Sequence, residues 1–129
     1  MKPLLLPYLF NIIILMPIAL MTLFGGETGG QFATQGKFLE SAGFRTLLGS
    51  IWTAILIGSG LGLVSPTSMS PLLLIQVIYK LLWLLVFVAP RLLGGRAQEI
   101  PWGIAITFLV IVVSYPLVIP WQEIFSTKR

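Results

Sequence analysis

The sequence predicts an all-α protein, a four-helix transmembrane bundle that forms a single integral membrane domain over residues 1–129. Three observations carry this expectation. Apolar residues make up 57% of the chain and charged residues only 9%, where a soluble domain carries roughly 25% charged residues to clothe its surface. Mean hydropathy is +0.99. The few charges leave long gaps: residues 3–26, 46–79, 81–90 and 100–122 contain none. A helix needs about 20 mostly apolar residues to cross a hydrocarbon core about 30 Å thick.

The first gap supplies one span, about residues 4–24. Lys2 ahead of it gives the basic start of a secretory signal. The apolar run is longer than the usual ~7–15-residue signal core and no A-x-A site follows it, so a retained helix is expected. Residues 25–43, GGETGGQFATQGKFLESAG, hold six glycines. They read as a flexible connector, or as a lid or partner-binding loop, since long loops in compact folds often carry function. The second gap is too long for one helix. It breaks at Ser65-Pro66-Thr67-Ser68-Met69-Ser70-Pro71, a turn signal of two prolines and four hydroxyl residues. That gives a second span at 46–64 and a third at 72–90. Ser70 followed by Pro71 reads as an N-cap with proline at the first helical position. Pro90-Arg91 marks the expected exit, and Gly94-Gly95 the turn that follows. The fourth span runs over 102–121. Glu99 ahead of Pro101 suits the positive end of its dipole, and Trp102 and Trp121 suit an aromatic belt at each end. Pro7, Pro17, Pro116 and Pro120 should bend the first and last helices, which neighbouring helices in a membrane can accommodate.

Four spans place both termini and the 65–71 turn on one side. That side carries Lys2, Lys128 and Arg129, and the other Lys37, Arg45, Arg91 and Arg96. Three against four sets no orientation by the positive-inside rule. The net charge of +4 favours contact with anionic headgroups of the lipid bilayer. The basic residues are scattered, with no stripe or motif for nucleic acid, and none is expected as a partner.

The chain has no Cys, His or Asp, and its four acids are all glutamates. Thiol and histidine nucleophiles, imidazole metal or haem ligation, and disulfides are therefore excluded. No metal and no cofactor is expected, and the methionines read as packing residues.

Two candidate sites stand out. In the second span Ser50, Ala54, Gly58 and Gly62 recur every four residues, widened by Gly49 and Gly60. Small residues at this spacing let helix backbones approach closely in lipid. The face serves either packing within the bundle or docking to another subunit or a second copy. In the third span Gln76, Tyr79, Lys80 and Trp83 share one face. Lys80 lies nine residues from Pro71, about 13 Å along the axis at 1.5 Å per residue, near mid-membrane. A lysine there costs about 2.5–3.5 kcal/mol on insertion scales and is a functional candidate by default. Asn11 in the first span, or Ser114 and Tyr115 in the fourth, are expected to help compensate it. Asn11 also reads as interhelical hydrogen-bond glue. Arg91, Arg96 and Trp102 read as interfacial anchors.

The layout, together with the stretch GFRTLLGSIWTAILIGSGLGL at 43–63, resembles small bacterial four-helix integral membrane proteins of the DoxX-like type. The resemblance implies a multi-pass protein of the bacterial inner membrane and carries over no catalytic residue. The residues alone leave three functions. One is a non-enzymatic subunit or scaffold of a membrane complex. Another is a carrier or binder of a small molecule or lipid at Lys80, where the lysine would attract an anionic or carbonyl-bearing headgroup. The last is a membrane enzyme, disfavoured because no span contains an acid to exchange protons with Lys80.

Overall fold

The computed structural model describes residues 3–125. The protein is all-α. Six helices follow one another among the described residues: α1 Leu5–Phe24, α2 Gly26–Thr34, α3 Ala42–Val64, α4 Pro71–Leu93, α5 Trp102–Leu117 and α6 Trp121–Phe125. Helices α1, α3 and α4 are long and apolar enough to cross a membrane. Lys2, Lys128 and Arg129, one side of the charge comparison, lie outside the described residues.

Helix α1 matches its expected span. Pro17 lies inside it, whereas Pro7 falls in the first turn, where a backbone N–H has no helical partner to lose. Gly25 ends the helix and Gly26 follows at φ +64°. The segment expected as a flexible connector instead folds into α2, which turns back along the end of α1. Gly29 lies so close to the Met21 carbonyl that a Cβ there would overlap it. The run of glycines that reads as flexibility is thus what permits close backbone approach. Gln35 and Gly36, both at positive φ, close α2.

Helix α3 begins at Ala42, four residues ahead of the expected start. Ser41 supplies the reason: its Oγ accepts from the Phe44 amide at 3.3 Å, a side-chain N-cap. Ser70 does not cap α4 as expected. Its hydroxyl donates to the Thr67 carbonyl at 2.6 Å, so the preceding turn has already used it.

Helix α4 also runs past its expected end. Pro90 does not terminate it. One π turn, Leu84–Val88, precedes the proline, with the Ala89 amide bonding to Leu84 O. A proline in a helix removes a donor and crowds the carbonyl four residues back. Widening the preceding turn accommodates both. The helix then continues to Leu93 and stops at Gly94-Gly95, with Gly95 at φ +72°.

The fourth expected span is shorter than 102–121. Helix α5 is α-helical over Trp102–Ser114 and tightens to a 3₁₀ turn at Tyr115–Leu117. At about 1.5 Å per residue this covers roughly 24 Å, less than the ~30 Å core. Pro116 and Pro120 cause the early end, since neither can donate to the ladder. The Pro116 carbonyl, four residues before Pro120, is satisfied by the Trp121 indole at 2.9 Å. Trp121 therefore repairs a backbone defect, in addition to the belt role read from its position.

The long helices associate as two pairs, α1 with α3 and α4 with α5. The first pair is antiparallel, with Tyr8 opposite Gly62, Asn11 opposite Ser59, and Leu23 opposite Gly49. Leu15, Ala19, Ala33, Trp52, Ile55 and Phe108 form the buried cluster toward one end. Tyr8, Leu73, Ile111, Tyr115 and Ile119 form the cluster toward the other.

Candidate functional site

Between the two pairs lies a cavity of about 610 Å³. Helix α1 forms one wall and α5 the facing wall, while residues 31–35 of α2 and its cap close one end. The lining changes character with depth. Ile13 and Phe32 at the rim are 70% and 62% exposed, whereas Gln76 and Lys80 at the floor are 0% and 3% exposed.

The expected face on α4 is thus brought to one site. Lys80 Nζ donates to Gln76 Oε1 at 3.1 Å and to Tyr79 Oη at 2.8 Å. It also sits 4.5 Å from the Tyr79 ring centroid and 4.8 Å from that of Phe108, within cation–π range. Tyr79 and Trp83 each meet Phe108 edge to face, at 6.0 and 5.3 Å. Every direct partner of the ammonium is neutral. Among the described residues no carboxylate pairs with it: Glu40 is held by Arg45, Glu99 by Arg91 and Arg96, and neither Glu27 nor Glu123 forms an ion pair with it.

Asn11 lines the same cavity but does not bond Lys80. Its Nδ2 donates to Ser59 Oγ at 2.9 Å, and its Oδ1 accepts from the Tyr115 hydroxyl. It joins α1 to both α3 and α5, and so fits the glue role. Tyr115 shares its single hydroxyl proton between Asn11 Oδ1 and Pro7 O, the latter at 3.1 Å, and Ser114 turns its hydroxyl to Val110 O. Neither reaches Lys80, whose hydrogen bonds come from its own helix at offsets of one and four.

The small-residue face of α3 divides. Gly58 and Gly62 are buried, but Ser50 and Ala54 are exposed. A row with a four-residue repeat advances about 40° per step, hence about 120° over three steps. It cannot face one straight neighbour along its length. Its buried members meet different partners: Gly62 lies under the Tyr8 ring of α1, and Gly58 faces Leu72 and Met69 toward α4. The α1 contact falls to Gly49 in place of Ser50. A Cβ at Gly49 would stand 2.7 Å from the Leu23 amide nitrogen.

Among the lining residues not singled out from the sequence are Trp52, Phe108 and Gln35. Trp52 carried a signal, being a tryptophan in mid-helix, away from the belts where tryptophan is enriched. Phe108 carried none. Gln35 lies in the glycine-rich segment, yet its Oε1 accepts the Gly103 amide at 2.8 Å. The N-cap residue of α5 is Pro101, which has no side-chain oxygen to cap it. A glutamine 68 residues away supplies the acceptor and pins α2 over the cavity. No protein-family model matches the chain, and neither a curated protein nor a solved structure matches it.

Proposed function

We propose that this is a multi-pass protein of the bacterial inner membrane that binds or carries a small molecule or lipid, without catalysing a reaction, and that its ligand sits in the cavity at Lys80. The observation that carries the reading is a buried ammonium with only neutral partners at the floor of a cavity between helix pairs. The volume falls in the ~300–1,000 Å³ range of ligand pockets. Burying a charge is costly unless it is paired, so an acceptor brought by a ligand would stabilise the site. In this reading α1, α3, α4 and the shorter α5 are four spans, with the prolines of α5 near one interface. The DoxX-like likeness of layout is compatible with it and adds no residue to the site.

Gentle detergent extraction, followed by mass spectrometry of everything that co-purifies, tests the reading. A stoichiometric small molecule or lipid is expected with the wild type and is lost in Lys80→Met at matched expression. Equal occupancy in the two, or an empty wild type, would overturn it.

One observation favours a second reading, a non-enzymatic subunit or scaffold docked to another membrane protein or to a second copy. Ser50 and Ala54 present small residues outward from α3, unused by the packing of the chain on itself. A stoichiometric protein partner in the same extraction, released by Ala54→Leu, would support it.

A further inference from the structure

We propose that the cavity takes a single-chain amphiphile ending in a carboxylate, held by Lys80 and Gln76, with its alkyl chain between α1 and α5. This rests on the cavity being a ligand site and commits to the ligand's chemical class.

Lysine carries three N–H donors and no acceptor. Two of them go to Gln76 Oε1 and Tyr79 Oη, and the third has no hydrogen-bond acceptor among the described residues, with only the Tyr79 and Phe108 rings beside it. Because Lys80 can only donate, the Gln76 oxygen is fixed as the atom facing it. The amide nitrogen is left over, and Gln76 Nε2 is buried without a hydrogen-bond partner. Two of the amide oxygens around the cavity are already occupied. Asn11 Oδ1 takes the Tyr115 hydroxyl and Gln35 Oε1 takes the Gly103 amide. Gln31 Oε1 and Thr107 Oγ1 keep acceptor capacity on α2 and α5, while the floor residues on α4 hold the unused donors. The floor thus offers spare donors on two neighbouring groups and one unpaired positive charge.

A carboxylate complements that floor. It brings one negative charge to one ammonium, and two oxygens for the free protons of Lys80 Nζ and Gln76 Nε2. An alcohol, ester or quinone carbonyl accepts the protons but leaves the ammonium uncompensated. A phosphate brings more oxygens and more charge than these donors satisfy, and the remainder would sit against Phe108 and Ile111. A quaternary ammonium would meet like charge. The rest of the lining sets the tail: Phe10, Ile14, Ile18 and Ile104 are apolar and lead from the floor toward exposed Ile13 and Phe32. The volume accommodates one long alkyl chain and is too small to enclose both chains of a phospholipid.

The test is native mass spectrometry of the purified full chain in detergent. The probes are one sixteen-carbon chain ending in turn in a carboxylate, an alcohol, a methyl ester, a phosphate or a trimethylammonium group. The carboxylate is expected to bind one-to-one, about ten- to a hundredfold more tightly than the alcohol or ester, the difference a charge-assisted hydrogen bond makes. Lys80→Met should abolish that preference while leaving alcohol binding in place. Ile14→Trp, which fills the tail region and spares the floor, should weaken every probe together and serves if Lys80→Met fails to fold. Equal binding of carboxylate and alcohol, tighter binding of the phosphate, or a preference that survives Lys80→Met would overturn the carboxylate class and leave the cavity as a ligand site. Failure of every probe, with nothing co-purifying from the membrane, would overturn the ligand site as well.

Discussion

The α1–α3 seam and the space between α1 and α5 use the same helix for opposite purposes. Along the seam, glycine brings backbones together: Gly49 abuts Leu23, and Gly62 receives the Tyr8 ring. The polar groups there are closed on one another, with Asn11 bonded to Ser59, Ser59 to Ile55 O at 2.7 Å, and Tyr8 to Pro66 O at 2.6 Å. Across α1, the wall facing α5 carries large apolar side chains that stand apart from their neighbours and leave a cavity, and the polar groups at its floor are unfinished. Lipid offers little hydrophobic drive between helices, so association depends on contact and hydrogen bonding. A gap with a charge that lacks a counter-ion therefore gains little where it occurs, and the close contact that fixes α1 lies in the neighbouring seam.

The largest effect is expected from breaking the seam. Gly49→Leu would press a side chain into the Leu23 backbone, which cannot turn aside as a side-chain tip can. Overpacking costs about 1–3 kcal/mol where neighbours can shift, and more where they cannot. Loss of most of the monodisperse protein and a melting temperature well below wild type are expected. Gly58→Leu should cost less, since a Cβ there meets the Leu72 Cδ2 tip at 2.8 Å, and Ser50→Leu should cost almost nothing. Equal thermal stability for Gly49→Leu and Ser50→Leu would erase the distinction between a packed and an outward face on α3.

The cavity should answer in the other direction. In ligand-free protein, Lys80→Met removes a buried charge and leaves two acceptors without a donor. Burying a charge without a counter-ion is costly, so its removal offsets the lost hydrogen bonds, each worth about 1 kcal/mol. The melting temperature is expected to stay level or rise modestly. A sharp fall would make Lys80 a structural strut and would contradict the contrast with the seam.

The comparison also shows what the sequence made legible. Hydropathy and charge gaps located three long helices because each depends only on residues within the segment. Lys80, Gln76 and Tyr79 were legible as one face for the same reason. The seam was half legible: glycines announce close approach, but which of them meet α1 depends on the path of a neighbouring helix, and Gly49 took the place expected of Ser50. The connector misled because its glycines are compatible with freedom and with tight contact alike, and only the position of Met21 decides between them. Nothing local to Gln35 announces that it caps α5, and nothing local announces a cavity, which is a property of what does not touch.

A smaller effect is expected where the prolines of α5 are repaired. Trp121→Phe keeps the aromatic ring stacked on Phe125, with centroids 6.2 Å apart, but removes the indole donor to Pro116 O. A lost hydrogen bond costs about 1 kcal/mol, so a lowering of a few degrees is expected on the scale of a chain this size. An unchanged melting temperature would mean that water satisfies the carbonyl as well as the indole does.

The smallest effect belongs to the connector joining α4 to α5, which contributes no residue to the cavity lining. Arg96 bonds Glu99 through two nitrogens, each at 2.7 Å, while Arg91 reaches the same carboxylate at 3.3 Å. The Arg96 hydrogen bond holds the Glu99 carboxyl below the usual carboxylate range. A carboxylate depressed in the folded state contributes stability above its unfolded pKa and loses it as pH falls through the folded value. The contribution should therefore be present at neutral pH and disappear in acid. Glu99 is solvent-screened, so the contribution is small and fades as salt is added. Melting temperatures of wild type and Glu99→Gln, measured at neutral and acid pH in low and high salt, check this. The two should differ slightly at neutral pH in low salt and converge in acid. Arg91 keeps a second anchorage through Phe87, whose ring lies 3.7 Å away and whose carbonyl accepts at 3.1 Å. Glu99→Gln should accordingly leave ligand occupancy at Lys80 unchanged. A loss of occupancy in Glu99→Gln would show that the connector sets the spacing of the cavity walls.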